Sequence, residues 1–176
     1  MNLPNKISLL RVFCIPVLVV LLYLPFSWCR WAALAVFIFA SITDFLDGYL
    51  ARKHQWITDF GKFIDPLADK LLVLSVFIML TEQKLLPGWF VILILARELS
   101  VDGLRLIAMT KQKVIAAGKL GKIKTTSQMI YIILMMVFRY HALSPWFPLL
   151  LTCWVAGITL WSGIDYFVRN RTVFSA

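Results

Sequence analysis

Long apolar runs alternate with short polar segments along this chain. A helix needs roughly 20 residues to cross a hydrocarbon core about 30 Å thick, and six stretches approach that length. They are residues 9–28, 31–50, 63–81, 86–108, 125–141 and 146–168. The pattern predicts an all-α polytopic membrane protein with six transmembrane helices, forming a single domain over residues 1–176.

The composition supports this class. Of the 176 residues, 61% are hydrophobic and 15% are charged, whereas soluble domains have about 45–50% apolar and about 25% charged residues. A soluble domain of this length has too little interior to bury so many apolar side chains. A disordered chain is poor in these residues, so disorder is excluded as well.

The chain is basic, with 18 Lys and Arg against 9 Asp and Glu. Twelve of the basic residues fall on one side of the predicted spans, and three, Arg30, Lys84 and Arg139, on the other. Because cytoplasmic loops carry the excess of Lys and Arg, both termini are predicted in the cytoplasm. The charge is therefore interpreted as loop charge, and no nucleic-acid partner is expected.

Four of the nine acidic residues stand close together at the predicted cytoplasmic edge. Asp44 and Asp47 are three residues apart, and Asp65 and Asp69 are four apart, so on helices each pair shares one face. A charge at bilayer depth costs about 2.5–3.5 kcal/mol, and like charges add repulsion. A divalent cation is the simplest compensation, and oxygen ligands favour Mg²⁺, Mn²⁺ or Ca²⁺ over zinc or copper.

Small residues accompany these carboxylates. Gly48 and Ala51 lie one turn beyond the first pair, and Gly61 lies one turn before the second. Such positions let a ligand or a backbone approach closely, and the guanidinium of Arg52 suits a phosphate. One pair alone is equally compatible with a solvated helix end, but four aspartates with three small residues favour a binding site.

These positions form one continuous motif, D-x2-D-G-x2-A-R-x8-G-x3-D-x3-D, from Asp44 to Asp69. Eight fixed positions at fixed spacing are a specific signal. The motif resembles the signature of the CDP-alcohol phosphotransferases at every position. The resemblance implies a six-helix membrane enzyme that transfers a substituted phosphoryl group from a CDP-linked donor to an alcohol and releases CMP.

The resemblance also implies roles for single residues. Asp44, Asp47 and Asp65 are expected to hold Mg²⁺ or Mn²⁺ on the CDP diphosphate. Asp69 is expected to be the catalytic base and to lie near the metal. The resemblance further implies a homodimer in the bacterial cytoplasmic (inner) membrane, with its active site facing the cytoplasm. The expected CDP-binding residues are Asp44, Gly48, Ala51, Arg52 and Gly61.

A second group of charges lies in the fourth span, where Arg97, Glu98, Asp102 and Arg105 are neighbours at helical spacing. The segment 111–128, interpreted as a loop before the fifth span, adds five lysines. One interpretation is a self-neutralised cluster, in which these charges pair within the helix and with Lys70, followed by a positive-inside loop near anionic lipid. The other is a cationic pocket, which an alcohol carrying a phosphate requires and a neutral or cationic alcohol does not.

Residues 2–130 favour the second interpretation. The opening NLPNKISLLR and the later Gly121-Lys122-x-Lys124 resemble a subfamily, the bacterial phosphatidylglycerophosphate synthases. This resemblance implies CDP-diacylglycerol as the donor, drawn from membrane lipid, and sn-glycerol 3-phosphate as the acceptor. The residues expected to bind the acceptor's phosphate are Arg97, Arg105, Lys122 and, more weakly, Lys124.

Three alternatives remain at this point. A sister enzyme would use the same donor with inositol phosphate or phosphatidylglycerol. A divalent-cation transporter would use the acidic site alone, which leaves Gly48, Ala51, Arg52 and Gly61 unexplained. A membrane scaffold would have no activity.

Overall fold

The computed structural model contains six α-helices and, across the residues it describes, no β-strand. These residues are 3–54, 59–111, 115, 118–138 and 146–171, with side-chain environments described outside 3–8, 44–54 and 59–63. The predicted all-α class is thus confirmed. The helices are α1 (Leu3–Tyr23), α2 (Ser27–His54), α3 (Asp59–Glu82), α4 (Gly88–Thr110), α5 (Lys119–Phe138) and α6 (Trp146–Arg169).

The start of α5 differs from the prediction. The sequence placed Lys119, Lys122 and Lys124 in a loop before residue 125, but all three lie in the first turns of α5. Backbone amides of Gly121 and Lys122 donate to the carbonyl of Gly118 and begin the helix there. The prediction was wrong because hydropathy marks where an apolar span begins, whereas lysine is itself a good helix former.

Judged by length and composition within the described residues, α6 is long and apolar enough to cross a membrane. Shorter apolar helical segments run over Leu9–Tyr23 and Ser27–Thr43. Charged residues near the ends of α2, α3 and α5, and in the middle and second half of α4, lower the hydropathy of those helices. Each of the six predicted spans corresponds to one helix, although the first, residues 9–28, was placed too late, since α1 ends at Tyr23 and α2 begins at Ser27. Their passage through a membrane remains a prediction.

The contacts group the chain into two compact units, Met1–Lys84 and Leu85–Ala176. In the first unit, α1 packs against both α2 and α3. Its core contains the fully buried Leu18, Phe37 and Phe77. At the outer edge, the Tyr23 hydroxyl donates to Glu82 over 2.7 Å, so α1 and α3 end side by side.

In the second unit, α6 packs against α4 and α5. The hydroxyls of Tyr131 and Thr152 share a buried 2.7 Å hydrogen bond, and the rings of Phe138 and Phe147 lie 5.7 Å apart between centroids. Because the later residue of α5 meets the earlier residue of α6, these helices are antiparallel. The single domain over 1–176 remains a prediction.

The packing of α3 can be tested by substitution of one buried and one exposed residue. Phe77 is fully buried, whereas its neighbour Ile78 is 56% exposed. We expect Phe77→Ala to lower the free energy of unfolding by about 3–5 kcal/mol, because it leaves a cavity in the core. Ile78→Ala is the matched control and should change it much less. Thermal unfolding of the protein in detergent micelles measures both, and equal losses would contradict this packing.

Candidate functional site

The first half of the motif lies on α2. The backbone is helical without interruption from Ser27 to His54, so positions spaced by three and four residues fall on one face. Their side chains lie outside the described residues, and the roles predicted for them remain predictions. The positions are Asp44, Asp47, Gly48, Ala51 and Arg52.

The second half of the motif lies on α3, which continues through Pro66. Gly61 lies on its first turns and belongs to the residues without described surroundings. Asp65 and Asp69 are partly buried one turn apart, and Oδ1 of Asp69 is buried. Ala68 and Leu72 beside them are fully buried. The helix therefore places the Asp69 carboxylate at the border of the packed core, on one face with Asp65, as predicted.

The residues present suit a hard divalent cation. Asp65 and Asp69 offer oxygen ligands alone, the type that Mg²⁺ and Mn²⁺ prefer. A buried carboxylate oxygen needs compensation by hydrogen bonds or by positive charge. Among the side chains with described surroundings no three metal-ligating groups converge, and Asp44 and Asp47 stand outside that set.

The basic half of the predicted site begins with Arg97 on α4, whose side chain is only 11% exposed. Its Nη2 donates to the Ser162 hydroxyl over 2.6 Å, and its Nη1 lies 3.5 Å from Oε1 of Glu98. Its buried Nε finds no hydrogen-bond acceptor within the described part of the chain. The Arg97 guanidinium therefore contacts Ser162 and Glu98, and its Nε–H remains as a hydrogen-bond donor without an acceptor among the described residues.

Glu98 is the buried carboxylate of this unit. It forms an ion pair with Nζ of Lys124, a side chain that is only 5% exposed. The charge of Lys124 is therefore compensated inside the protein, by a pairing that neither interpretation of the sequence predicted. Lys122, two residues earlier, is exposed in the first turns of α5.

Arg105 lies two turns beyond Arg97 on α4 and is partly buried. Its Nε donates to the hydroxyl of Tyr166 over 3.1 Å. Its guanidinium carbon is 5.6 Å from the centre of the same ring, within the range of a cation–π interaction. This contact does not use the two terminal nitrogens of Arg105.

Sequence reasoning missed the contribution of α6. Ser162 and Tyr166 are one turn apart, and each is the hydrogen-bond partner of one arginine. Between them, a Cβ on Gly163 would lie 3.2 Å from Cγ of Arg97. Because the contacts follow the same order along both helices, α4 and α6 are parallel. The available signal was the i, i+4 pair of hydroxyls in an otherwise apolar segment.

Comparison with known proteins identifies the family. Residues 1–158 match the family model described as CDP-alcohol phosphatidyltransferase. The chain belongs to this family. The resemblance carried by the eight-position motif is thereby confirmed.

Several relatives match nearly the full length of this chain. A protein of Bacillus subtilis (strain 168) named CDP-diacylglycerol–glycerol-3-phosphate 3-phosphatidyltransferase is 43% identical over 96% of this chain and 95% of its own length. A protein of the same name from Salmonella choleraesuis (strain SC-B67) is 37% identical over 97% of this chain and 95% of its own length. Another from Rickettsia typhi is 38% identical over 98% of this chain and 99% of its own length. The matched length extends beyond residues 2–130, so most of α6 must be included.

The ion pair of Glu98 in this phosphatidyltransferase-family chain is open to test. We expect Glu98→Gln to lower the free energy of unfolding by about 3–5 kcal/mol, because it removes the carboxylate from a buried ion pair and leaves the charge of its lysine in place. The double variant Glu98→Gln with Lys124→Met should recover stability, since neither charge is then buried alone. Thermal unfolding in detergent measures the change.

Asp165→Asn is the control for Glu98→Gln. Asp165 accepts a 2.7 Å hydrogen bond from Arg169, whose side chain is 68% exposed. Pairs of this kind contribute about 0–1 kcal/mol. Equal losses for Glu98→Gln and Asp165→Asn would contradict the buried pair.

Proposed function

We propose that this chain transfers the phosphatidyl group from CDP-diacylglycerol to sn-glycerol 3-phosphate, producing phosphatidylglycerophosphate and CMP. One observation carries the proposal: the complete motif occurs in a chain that matches, over nearly its whole length, relatives named for this reaction. The two arginines on α4 add a chemical reason for a phosphorylated acceptor.

Arg97 and Arg105 are the proposed contacts to the acceptor's phosphate. Arginine has five N–H donors, and on Arg97 the hydroxyl of Ser162 takes one of them while Nε has no acceptor among described residues. A buried unsatisfied donor is unfavourable, and a phosphate oxygen satisfies it with a strong charge-assisted hydrogen bond. Lys122 is exposed and adds a further positive charge. Lys124 acts indirectly, because Glu98 already compensates its charge.

The motif is proposed to bind the donor. Asp44, Asp47, Asp65 and Asp69 would hold Mg²⁺ or Mn²⁺. When bound, such an ion neutralises charge on the diphosphate and on the departing CMP. The residues proposed to lie against the CDP moiety are Asp44, Gly48, Ala51, Arg52 and Gly61.

Asp69 is proposed as the general base. It accepts the proton of the 1-hydroxyl of glycerol 3-phosphate, and that oxygen forms a bond to the phosphorus attached to diacylglycerol. The bond from this phosphorus to the CMP oxygen breaks, and the proton on Asp69 passes to water. The position of Asp69 supports the role: it is partly buried on the continuous helix α3, one turn from Asp65, and a carboxylate held in place beside a hydroxyl can accept its proton.

We further propose that all six helices cross the bacterial cytoplasmic membrane, with the termini and the motif on the cytoplasmic side. Exposed tryptophans lie at the beginnings of three helices: Trp28 and Trp31 on α2, Trp89 on α4 and Trp146 on α6. These ends are predicted on the opposite side, and tryptophan is enriched at membrane interfaces. Many other large apolar side chains are exposed along the helices, where lipid would cover them. The resemblance to the family supports a homodimer.

An acceptor panel tests the function. Purified protein in mixed lipid–detergent micelles receives CDP-diacylglycerol together with glycerol 3-phosphate, inositol phosphate or phosphatidylglycerol, and CMP release is measured. We expect release with glycerol 3-phosphate and Mg²⁺ or Mn²⁺, and none above background with the other two. Chelation by EDTA should abolish release, and added Mg²⁺ should restore it.

The panel distinguishes the alternatives. CMP release with another acceptor alone would identify a sister enzyme. Metal flux into liposomes without nucleotide, and no CMP release with any acceptor, would favour a transporter. Activity that is unaffected by EDTA would contradict the metal site.

Asp69→Asn tests the base. The amide cannot accept the hydroxyl proton, and loss of a general base lowers the rate by about 10²–10⁴-fold. We therefore expect kcat for CMP release to fall within that range. Asp165→Asn, which alters the surface pair with Arg169, is the matched control and should retain activity. Unchanged kcat in a folded Asp69→Asn protein would exclude this role.

A further inference from the structure

Both arginines of the proposed acceptor site are held by α6, the helix in which the sequence showed only an apolar pattern. Ser162 is 2% exposed and Tyr166 is 6% exposed. Each accepts a hydrogen bond from one guanidinium, at 2.6 Å and 3.1 Å. On the basis of the proposed function, we infer that Ser162 and Tyr166 are positioning residues that orient Arg97 and Arg105 for the acceptor's phosphate.

The chemistry of these partners differs from that of Lys124. Lys124 is paired with the carboxylate of Glu98, which cancels its charge. Ser162 and Tyr166 are neutral, so their hydroxyls fix the guanidinium groups without cancelling charge. Nη1 of Arg97 also lies 3.5 Å from Glu98, but that single carboxylate is shared with Lys124, so the group of Arg97, Glu98 and Lys124 keeps a net positive charge for an anion. Each hydroxyl accepts from one nitrogen of its arginine. Nε of Arg97 has no acceptor among the described residues, and the bond of Arg105 to Tyr166 does not use its two terminal nitrogens, so both arginines keep donors for a phosphate.

Packing restricts each arginine further. The Arg97 side chain runs beside the backbone of Gly163, where an added Cβ would be 3.2 Å from Cγ. Arg105 lies over the ring of Tyr166 as well as on its hydroxyl. Tyr166 itself belongs to a buried cluster with Val101, Leu104 and Ala108, so its hydroxyl is fixed by the core of the unit.

This arrangement has a consequence for binding. A free arginine loses about 2 kcal/mol of rotamer entropy when it is immobilised. Where contacts within the protein already restrict the side chain, ligand binding does not bear that cost again. Loss of Ser162 or Tyr166 contacts should therefore weaken binding of the acceptor more than it slows the chemical step.

The variants Ser162→Ala and Tyr166→Phe test the inference. Each removes one hydroxyl, and Tyr166→Phe keeps the ring beneath Arg105. Because hydrogen bonds to charged groups are strong, we expect KM for glycerol 3-phosphate to rise about tenfold in each variant. The KM for CDP-diacylglycerol should be unchanged, and kcat should change much less than the acceptor KM.

Two matched controls exist within the same unit. Tyr131→Phe removes another buried tyrosine hydroxyl, which bonds to Thr152 near the beginning of α6. Gly163→Ala inserts a methyl group against Arg97, whereas an added Cβ on Gly157 meets nothing within 4 Å. Gly163→Ala should raise the acceptor KM, and Tyr131→Phe and Gly157→Ala should leave it at the wild-type value.

The results distinguish failure of the positioning role of Ser162 and Tyr166 from failure of the proposed function. If the wild-type protein releases CMP with glycerol 3-phosphate but the acceptor KM of the Ser162, Tyr166 and Gly163 variants equals that of the controls, the inference is overturned and the proposed function stands. A parallel rise in both KM values, with loss of thermal stability, indicates a merely structural role and also overturns it. If the wild type releases no CMP, the proposed function fails and the inference fails with it.

Discussion

A buried carboxylate organises the second half of this chain, because a charge inside apolar helices needs a partner. Glu98 on α4 pairs with Lys124 on α5 and lies beside Arg97, which in turn donates to Ser162 on α6. One acidic residue thus connects contacts among three helices. These contacts form because a charge left without a partner among apolar helices costs free energy.

The same constraint distributes roles among the basic residues. Lys124 is paired with the carboxylate of Glu98, whereas Arg97 and Arg105 each donate a hydrogen bond to a neutral hydroxyl of α6. Arg97 also lies beside Glu98, which it shares with Lys124. Charged residues that formed one pattern along the fourth span therefore have different partners in the folded chain. In the first unit, the carboxylates of Asp65 and Asp69 on α3 are likewise partly buried.

The fold class and the family were predictable from the sequence, since both depend on the spacing of residues that are close together in the chain. The all-α class follows from long apolar runs, and family membership follows from eight positions within 26 residues of sequence, from Asp44 to Asp69. The continuous helices α2 and α3 preserve the spacing of three and four on which the motif depends. The start of α5 was wrong, because polar turns at the end of a span look like loop in a hydropathy pattern. Ser162 and Tyr166 were missed, because two hydroxyls at i, i+4 in a largely apolar helix do not reveal partners that lie 65 and 61 positions away along the chain.

Composition and motif spacing were sufficient to establish the helices and the family, since both depend on residues near one another in the chain. The pairing of charges required the folded arrangement. Lys124 meets Glu98 across 26 positions, and Ser162 meets Arg97 across 65. Helical periodicity relates residues three or four apart, whereas contacts at these separations arise from how helices pack. For that reason the sequence indicated which residues carry charge, and the packing of α4, α5 and α6 assigned each charge its partner.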